Sequence, residues 1–519
     1  MIIRTIVFSF FLFINSLIAQ SLLTNYKLAD EIKDFEKISA KTPTSNSIID
    51  IITIGDTIWL GTSRGVSVSF DKGENWINFY GRPDFGTDNV SAIGYDNGVF
   101  WCATAKSVEV PGGQRLPSGT GLKYTTNNGV TWQSIPQPID NQNDDKVQYG
   151  INQIRALPVT VTIQNLTYDI AFTPGTIWIA SFAGGLRKST NMGQSWQRVV
   201  LPPDRLNSIK PTDTLDFCLS PVAGSFCSEG NLNHRVFSIA TDGNSTIYVG
   251  TANGINKSTD GGISWVKFNH QNQSEPISGN FITALEYNPF NNSIWASTWK
   301  AEDQNEFYAT SFSFNGGNSW ITTLLGERPH NFAFKFEQVF VLTGNGAFRT
   351  TDLGRSWILP NSIFDQKTKA VLRTNTFYSA GVIDDYVFLG SDDGLARLKE
   401  SIGKIWEGDW KLYLASKPLS SDNETYCYPN PFSPRQDLLK IKYSTKGKSE
   451  RVTIRVFDFA FNPVRTIIQN AERNNDLEGT PEFWDGKDEN GAYVPNGVYF
   501  YRVDVGDENS YFGKILVLQ

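Results

Sequence analysis

The residues best suited to take part in chemistry in this sequence are an acid or amide that occurs six times within one short repeated phrase. The phrase reads S/T-x-D/N-x-G-x-x-W, and its first copy is SFDKGENW at residues 69–76. Such side chains could ligate calcium or act in catalysis, but they also close tight turns by accepting bonds from backbone N–H groups ahead of them. Because a glycine follows two residues later, we predict structural turns at Asp71, Asn127, Asn191, Asp260, Asn315 and Asp352.

Metal and thiol chemistry have little support in the sequence. The three histidines lie far apart and lack the spacing of zinc ligands: His234, His270 and His330. We therefore expect no metal site and no cofactor. Cys218 and Cys227 bracket the segment FCLSPVAGSFC and are predicted to form a disulfide, which suits an exported protein.

Short strands surround each phrase. Before each copy comes a second unit of the type IWLGTSRGVSVS, and a seventh unit, VFLGSDDGLARLKE, begins at Val387 and leads to Trp410 without the phrase. Each unit contains about four segments rich in Ile, Val, Trp and Phe, separated by Gly, Asp, Asn and Ser. Seven such units predict an all-β fold, a seven-bladed β-propeller over residues 45–416.

The repeated phrase resembles the Asp-box (BNR) repeat. This repeat is found in sialidases, sortilin-type receptors, xyloglucan-cleaving glycoside hydrolases and the photosystem assembly factor propellers. The resemblance covers roughly residues 45 to 415. It implies a β-propeller in which the box is a structural turn remote from the ligand.

Long insertions are expected on the face opposite these turns, where extra loops on a rigid scaffold commonly serve recognition. They comprise residues 106–121, 134–165, 200–235 and 299–308. Aromatic rings suit sugars and cations, and arginine suits carboxylates. The candidate binding residues are therefore Trp299, Lys300, Tyr308, Arg115 and Arg187. The alternative is that Trp299 and Tyr308 only cover the end of a blade.

Two functions remain open: a binding or scaffold protein that uses the propeller as a recognition platform, or a glycoside hydrolase acting on polysaccharide or sialoside. By resemblance, a sialidase needs an arginine triad, and its Arg-Ile-Pro motif is absent. Xyloglucan-cleaving relatives place paired carboxylates between two propellers, and only one propeller is predicted here. Neighbouring acids at 384–385 and 392–393 would point to opposite faces of a strand. We therefore predict no catalytic residues and favour a non-enzymatic protein that binds a polysaccharide or protein ligand.

The N-terminus has the pattern of a secretory signal peptide over residues 1–19: Arg4 is followed by a mostly apolar run that ends at Ala19. The run is too short for a membrane-spanning helix, which needs roughly 20 apolar residues. We expect a protein that is secreted or held at the outer cell surface without a transmembrane anchor, with residues 20–44 as an N-terminal extension. The net charge of −7 argues against a nucleic-acid partner.

A second, smaller domain is predicted over residues 426–519, after a linker at 417–425. Alternating strands such as ERVTIRVFDF and GVYFYRVDV, with turns at DENG and PNG, favour a small β-sandwich. The stretches YPNPF and WDGKDENGAYVPNGVYFYRV resemble the Ig-like module of flagellar hook-capping proteins and the C-terminal sorting domains of type IX secretion. This resemblance implies a Bacteroidota-like cell and the type IX secretion machinery as a partner.

Overall fold

The computed structural model describes residues 39–367, 371–372, 374–415, 419, 421–428, 430–435, 438–475, 481–507 and 509–518. The predicted signal peptide and residues 20–38 of the predicted extension lie outside these residues. The chain divides into two compact units: Lys41–Ala415 forms one, and the other contains the segment that follows Ala415. Among the described residues, no helix is long and apolar enough to cross a membrane.

Within the larger unit, seven antiparallel sheets follow one another along the described chain, and we number them blades 1 to 7. From the inner strand outward they contain Ile48–Ile54, Thr57–Thr62, Gly65–Ser69 and Trp76–Asn78 (blade 1); Asn89–Asp96, Val99–Glu109, Arg115–Thr125 and Gln133–Ile135 (blade 2); Thr167–Thr173, Thr176–Ser181, Gly185–Ser189 and Gln197–Arg198 (blade 3); Val236–Thr241, Ile247–Thr251, Gly254–Ser258 and Trp265–Phe268, with Ser208–Ile209 outermost (blade 4); Phe281–Asn288, Ser293–Trp299, Ala309–Ser313 and Ile321–Thr323 (blade 5); Pro329–Lys335, Gln338–Thr343 and Gly346–Thr350 (blade 6); and Phe377–Ile383, Tyr386–Ser391, Leu395–Glu400 and Gly408–Tyr413 (blade 7).

Further elements lie between and before the blades. A three-stranded sheet consists of Lys146–Tyr149, Asn152–Ala156 and Cys218–Leu219, a 3₁₀ helix spans Leu232–His234, and a two-residue strand covers Ser39–Ala40. Residues 106–121, predicted as a loop insertion, instead extend the second and third strands of blade 2 into a long hairpin, because Glu109 pairs with Arg115 across its tip.

The inner strands make the propeller a closed ring. Each inner strand contacts the inner strand of the next blade, and that of blade 7 contacts that of blade 1. The second strand of blade 1 shows the result, since Ile58, Trp59 and Leu60 are all buried. Successive side chains of a strand point to opposite faces, so both faces of this sheet must be covered by neighbouring blades. The predictions of an all-β chain and of a β-propeller are confirmed.

Side chains close the ring between its first and last blades. Each of these two blades takes all its strands from its own stretch of chain, so no strand is exchanged between them. Lys72 pairs with Asp384 at 2.7 Å, and Glu74 pairs with Arg397 at 2.7 Å. The closure therefore depends on packing and on ion pairs.

The tryptophan and glycine of each repeated phrase set the contact between neighbouring blades. Trp132 of blade 2 packs edge-on against Phe79 and Phe85 of blade 1, with ring centroids 5.0 and 4.9 Å away. Gly129 has φ +86°, and a Cβ at this position would lie 2.3 Å from the Phe79 ring. Only glycine fits here, since both the backbone conformation and the close approach exclude a side chain.

The C-terminal unit contains two antiparallel sheets that share one core. One sheet consists of Thr425–Tyr428, Leu439–Tyr443 and Glu482–Trp484, and the other of Pro463–Arg473, Glu450–Phe457, Gly497–Val505 and Asn509–Val517. Phe432, Tyr443, Trp484 and Tyr501 are buried between them. Its assignment as an Ig-like sorting domain stays a prediction, as do the predicted domain boundaries.

Candidate active site in the central channel

A β-bulge interrupts the inner strand of each of the seven described blades at the same position. In blade 1 the pairing passes from Ile48 directly to Asp50, which leaves Ile49 unpaired, and the other blades repeat this pattern. A bulge twists its strand and redirects the side chains beside it. The seven unpaired residues are Ile49, Ser91, Tyr168, Phe237, Thr283, His330 and Tyr378.

These bulges surround a cavity on the propeller axis. The cavity has a volume of about 270 Å³, and its lining includes the bulge residue of every blade. It lies towards the end of the channel next to the turns between second and third strands, because the bulge residues sit near the start of each inner strand. We call this side of the propeller the loop face.

Three carboxylic acids lie in this cavity: Asp50 from blade 1, Asp169 from blade 3 and Glu286 from blade 5. Asp50 accepts hydrogen bonds from its neighbour's backbone N–H at 2.8 Å and from Asn331 Nδ2 at 3.2 Å. Asp169 accepts two backbone N–H bonds of 2.7 Å, one of them from Ile239 of blade 4. In the described part of the chain, none of the three acids forms an ion pair with Lys or Arg.

Burial gives these acids unusual protonation. It raises the pKa of Asp50 and of Asp169 from 3.8 to about 7, despite the opposing effect of the backbone hydrogen bonds. For Glu286, burial raises the pKa well above 4.5, and the charges of Asp169 and Asp50 raise it further. All three side chains keep a partly exposed surface because they face the channel. All three carboxyl groups in the cavity therefore hold a proton up to a higher pH than exposed carboxyl groups do.

Among the described residues, no group of three or more His, Cys, Asp or Glu side chains is placed to hold a metal ion. Two carboxyl groups of different protonation state in one cavity are what hydrolysis of a glycosidic bond requires.

A run of aromatic rings leads from the cavity across the loop face to blade 5. Tyr168 contacts Phe237 at 5.4 Å, Phe237 contacts Phe281 at 4.7 Å, Phe281 contacts Trp299 at 6.1 Å, and Trp299 contacts Tyr308 at 5.9 Å between ring centroids. These five rings form the aromatic ribbon, and all of them are partly exposed. Its first two members line the cavity, so the ribbon and the acids form one continuous surface.

The predicted binding residues separate into three groups. Trp299 and Tyr308 belong to the ribbon, and Lys300 is exposed beside them. Arg115 is exposed near the tip of the blade 2 hairpin. As ligand-binding residues these four stay predictions.

Arg187 differs from the prediction. Its side chain is 3% exposed, and its guanidinium pairs with Asp140 at 2.8 Å. Since it lies inside the propeller, we correct its assignment from ligand binding to an internal ion pair. The guanidinium of Arg328, which sequence reasoning passed over, lies 4.3 Å from the Tyr308 ring at the outer end of the ribbon.

The repeated acids and amides lie in turns that follow the third strand of blades 1 to 6. In blade 1 the Ser69 hydroxyl donates to Asp71 at 2.8 Å and accepts from the Gly73 N–H, while Asp71 accepts from the Asn75 N–H at 2.8 Å. The same three bonds recur in the other five turns, around Asn127, Asn191, Asp260, Asn315 and Asp352. Their side chains are thus engaged in holding the turns.

A disulfide joins Cys218 and Cys227 in the segment between blades 3 and 4. Two free cysteines remain in the described chain, and burial raises the pKa of the Cys102 thiol to about 12. A thiol with so high a pKa is unreactive at neutral pH.

The channel acids were missed by sequence reasoning because no motif links them. Asp50 lies in IIDII, Asp169 in TYDIA and Glu286 in ALEYN. A single acid inside an otherwise apolar inner strand is the signal that could have found them, since such a residue must face the channel or be buried unpaired.

Part of this chain is similar in sequence to a known enzyme. No family model matches the chain. Xyloglucanase Xgh74A of Acetivibrio thermocellus is 23% identical over 322 residues, which cover 59% of this chain and 30% of that protein. The chain thus spans about a third of the curated relative that it matches. Because this relative is a glycoside hydrolase, the finding overturns the sequence-based preference for a non-enzymatic protein.

Two solved structures are also similar to this chain, at low sequence identity. The GH74 xyloglucanase from Xanthomonas campestris is 11% identical with a TM-score of 0.48, covering 77% of this chain and 58% of that one. YCF48 from Cyanidioschyzon merolae is 16% identical with a TM-score of 0.40, covering 68% of this chain and 94% of that one.

Proposed function

We propose that this protein is a glycoside hydrolase that acts on polysaccharide outside the cell. The observation that carries the proposal is the group of three acids, with raised pKa values, in a cavity joined to the aromatic ribbon. The similarity to a xyloglucanase supports it and suggests a xyloglucan-like or related glucan as the first substrate to try.

The protonation of the three acids suggests a role in catalysis for each of them. Burial and the neighbouring charges favour the protonated form of Glu286, so we assign it as the general acid that protonates the leaving oxygen. Asp169 accepts two backbone N–H bonds, which stabilise its ionised form, so it is the carboxylate that assists attack at the sugar carbon. The charge of Asp50 adds to that of Asp169 in raising the pKa of Glu286, so Asp50 helps to keep the general acid protonated.

Hydrolysis of soluble xyloglucan and of cello-oligosaccharides by the full-length protein tests this proposal, with sialosides as a further substrate class. Glu286→Gln should lower the release of reducing ends by roughly 10²–10⁴-fold, the contribution of a general acid. Asp352→Asn, an acid-to-amide change in a turn, is the matched control and should leave the rate unchanged. Retention of polysaccharide without any product from the unaltered protein would contradict the proposal.

We also propose a route to the cell exterior. The apolar N-terminal run over residues 1–19 and the resemblance of residues 426–519 to type IX sorting domains support export through that machinery, with a seven-bladed Asp-box propeller as cargo. Deletion of residues 426–519 in a cell with type IX secretion should trap the propeller in the periplasm. Its continued appearance outside the cell would count against the sorting role.

A further inference from the structure

The wall around the three channel acids is continuous. The inner strands of the seven described blades contact one another in a closed cycle, and each contributes to the lining of the cavity. An open cleft lets the middle of a long polymer lie across the reacting groups. A ring closed by backbone on all sides admits a polymer only where the polymer has an end.

We infer that this protein hydrolyses polysaccharide from a chain end, and that the aromatic ribbon guides this end to the cavity. The inference rests on the proposed glycosidase function and adds to it the position of the bond that is cut.

The size of the cavity agrees with this mode. Its volume of about 270 Å³ lies just below the roughly 300–1,000 Å³ of typical small-molecule pockets. Such a volume limits the enclosed part of the substrate to about the size of a small molecule. The rest of the chain must then remain outside, on the loop face.

The aromatic ribbon supplies a surface for that remaining part. Its rings follow one another at centroid distances of 4.7 to 6.1 Å from the cavity wall to the blade 5 loop. Partly exposed aromatic faces offer apolar area to the C–H faces of sugar rings at a small entropic penalty, because the rings are rigid. Trp299 and Tyr308 mark the outer end, which only a substrate of several sugars can reach.

Each cleavage consumes one water. The bond between the terminal anomeric carbon and the bridging oxygen breaks, the oxygen takes a proton from Glu286, and the hydroxyl of water ends on the anomeric carbon while its other proton restores the acid pair. No oxidant or further reactant is needed.

The first test measures both the viscosity and the concentration of reducing ends while the protein acts on soluble xyloglucan. Attack from a chain end predicts reducing ends that rise while viscosity stays within about 10% of its starting value over the first few per cent of cleavage. A rapid early fall in viscosity would show internal cleavage and would overturn the inference while supporting the hydrolase. Absence of product would refute the hydrolase and, with it, the inference.

The binding test uses Glu286→Gln and two probes: cellohexaose, and cellohexaose with bulky groups on both terminal sugars. We expect the blocked probe to bind at least tenfold more weakly. Equal binding of both probes, or binding of neither, would overturn the inference. This measurement separates failure of the end-on mode from failure of the chemistry.

Trp299→Ala tests the ribbon. It should raise KM for cellohexaose at least fivefold and for cellotriose by less than twofold, and Trp299→Phe should restore most of the loss. Phe290→Ala is the matched control, since Phe290 is also an exposed aromatic of blade 5, in the turn at the opposite end of the Ser293–Trp299 strand. An equal effect of Trp299→Ala on both substrates would contradict a guiding role.

Discussion

The channel and the outer turns of this propeller use the same side chain in opposite ways. Asp50 in the channel has a pKa raised to about 7 by burial. Asp352 in a turn has a pKa lowered to about 2, chiefly by hydrogen bonds from the hydroxyl and backbone of Ser356. The first is able to exchange a proton at neutral pH, and the second is charged at that pH.

The difference lies in hydration more than in the number of hydrogen bonds. Asp169 accepts two short backbone bonds and still has a raised pKa, because the ring of blades removes water from it. Asp71 is also partly buried, and that burial alone would raise its pKa, but bonds from Asn75 and Ser69 outweigh it. Repetition of a residue along the sequence thus marks a structural role here, whereas the channel acids occur singly.

The largest expected effect is on activity, which should fall when a channel acid is replaced but not when a turn acid is replaced. Asp169→Asn removes the carboxylate assigned to attack and should lower kcat on soluble xyloglucan by at least 100-fold. Asp260→Asn makes the same change in a turn that Asn already occupies in other blades, and its kcat should stay within twofold of that of the unaltered protein. Comparable losses in both variants would mean that the channel acids have no special role.

The second prediction concerns the stability of the turns. Gly129→Ala forces a side chain into a left-handed conformation and against Phe79, and should destabilise the propeller by roughly 3 kcal/mol. Urea unfolding followed by tryptophan fluorescence measures this loss. Gly98→Ala is the control, because Gly98 also has a positive φ, of +85°, but has no atom within 4 Å of an added Cβ. If both variants lost equal stability, the packing against Phe79 would contribute nothing.

A smaller effect is expected on the pH dependence of stability, through the channel acid Asp50. The folded pKa of Asp50 is about 7 against an ordinary 3.8, so the stability associated with its neutral form is complete below about pH 4 and is lost as pH rises towards 7. Asp50→Asn keeps the acceptor oxygen that Asn331 uses and cannot ionise. We expect it to match the unaltered protein at pH 4 and to be about 1–2 kcal/mol more stable at pH 8. Denaturant midpoints at the two pH values measure this, and a variant without a pH-dependent gain would refute the raised pKa.

The smallest effect is expected at Asp352 in its exposed turn. There, stability changes with pH in the opposite direction to that expected for Asp50. The folded pKa of Asp352 is about 2, so its stabilising contribution is present above about pH 4 and is lost as pH falls towards 2. Asp352→Asn should be slightly less stable than the unaltered protein at pH 7 and should equal it near pH 2. Thermal midpoints of both proteins between pH 7 and pH 2 measure this difference. If the stability loss of Asp352→Asn grew on acidification, the lowered pKa of Asp352 would be contradicted.

The repeated phrase made the turns and the propeller predictable because it is a local signal: the serine, acid and glycine that bond one another lie within five residues, as at Ser69 and Gly73. The channel site depends on non-local closure. Asp50 and Glu286 are more than two hundred residues apart and share a cavity only because seven inner strands form a ring. The burial of Arg187 depends on the same non-local packing against Asp140.

The shared bulge makes the inner wall of the channel modular. Because one unpaired residue per blade faces the cavity while its neighbours keep their pairing, its identity can change without altering the sheet that carries it. Ile, Ser, Tyr, Phe, Thr and His all occupy this position in different blades. New ligand selectivity could therefore evolve, or be selected from a library, by exchange at seven positions on a framework that stays the same.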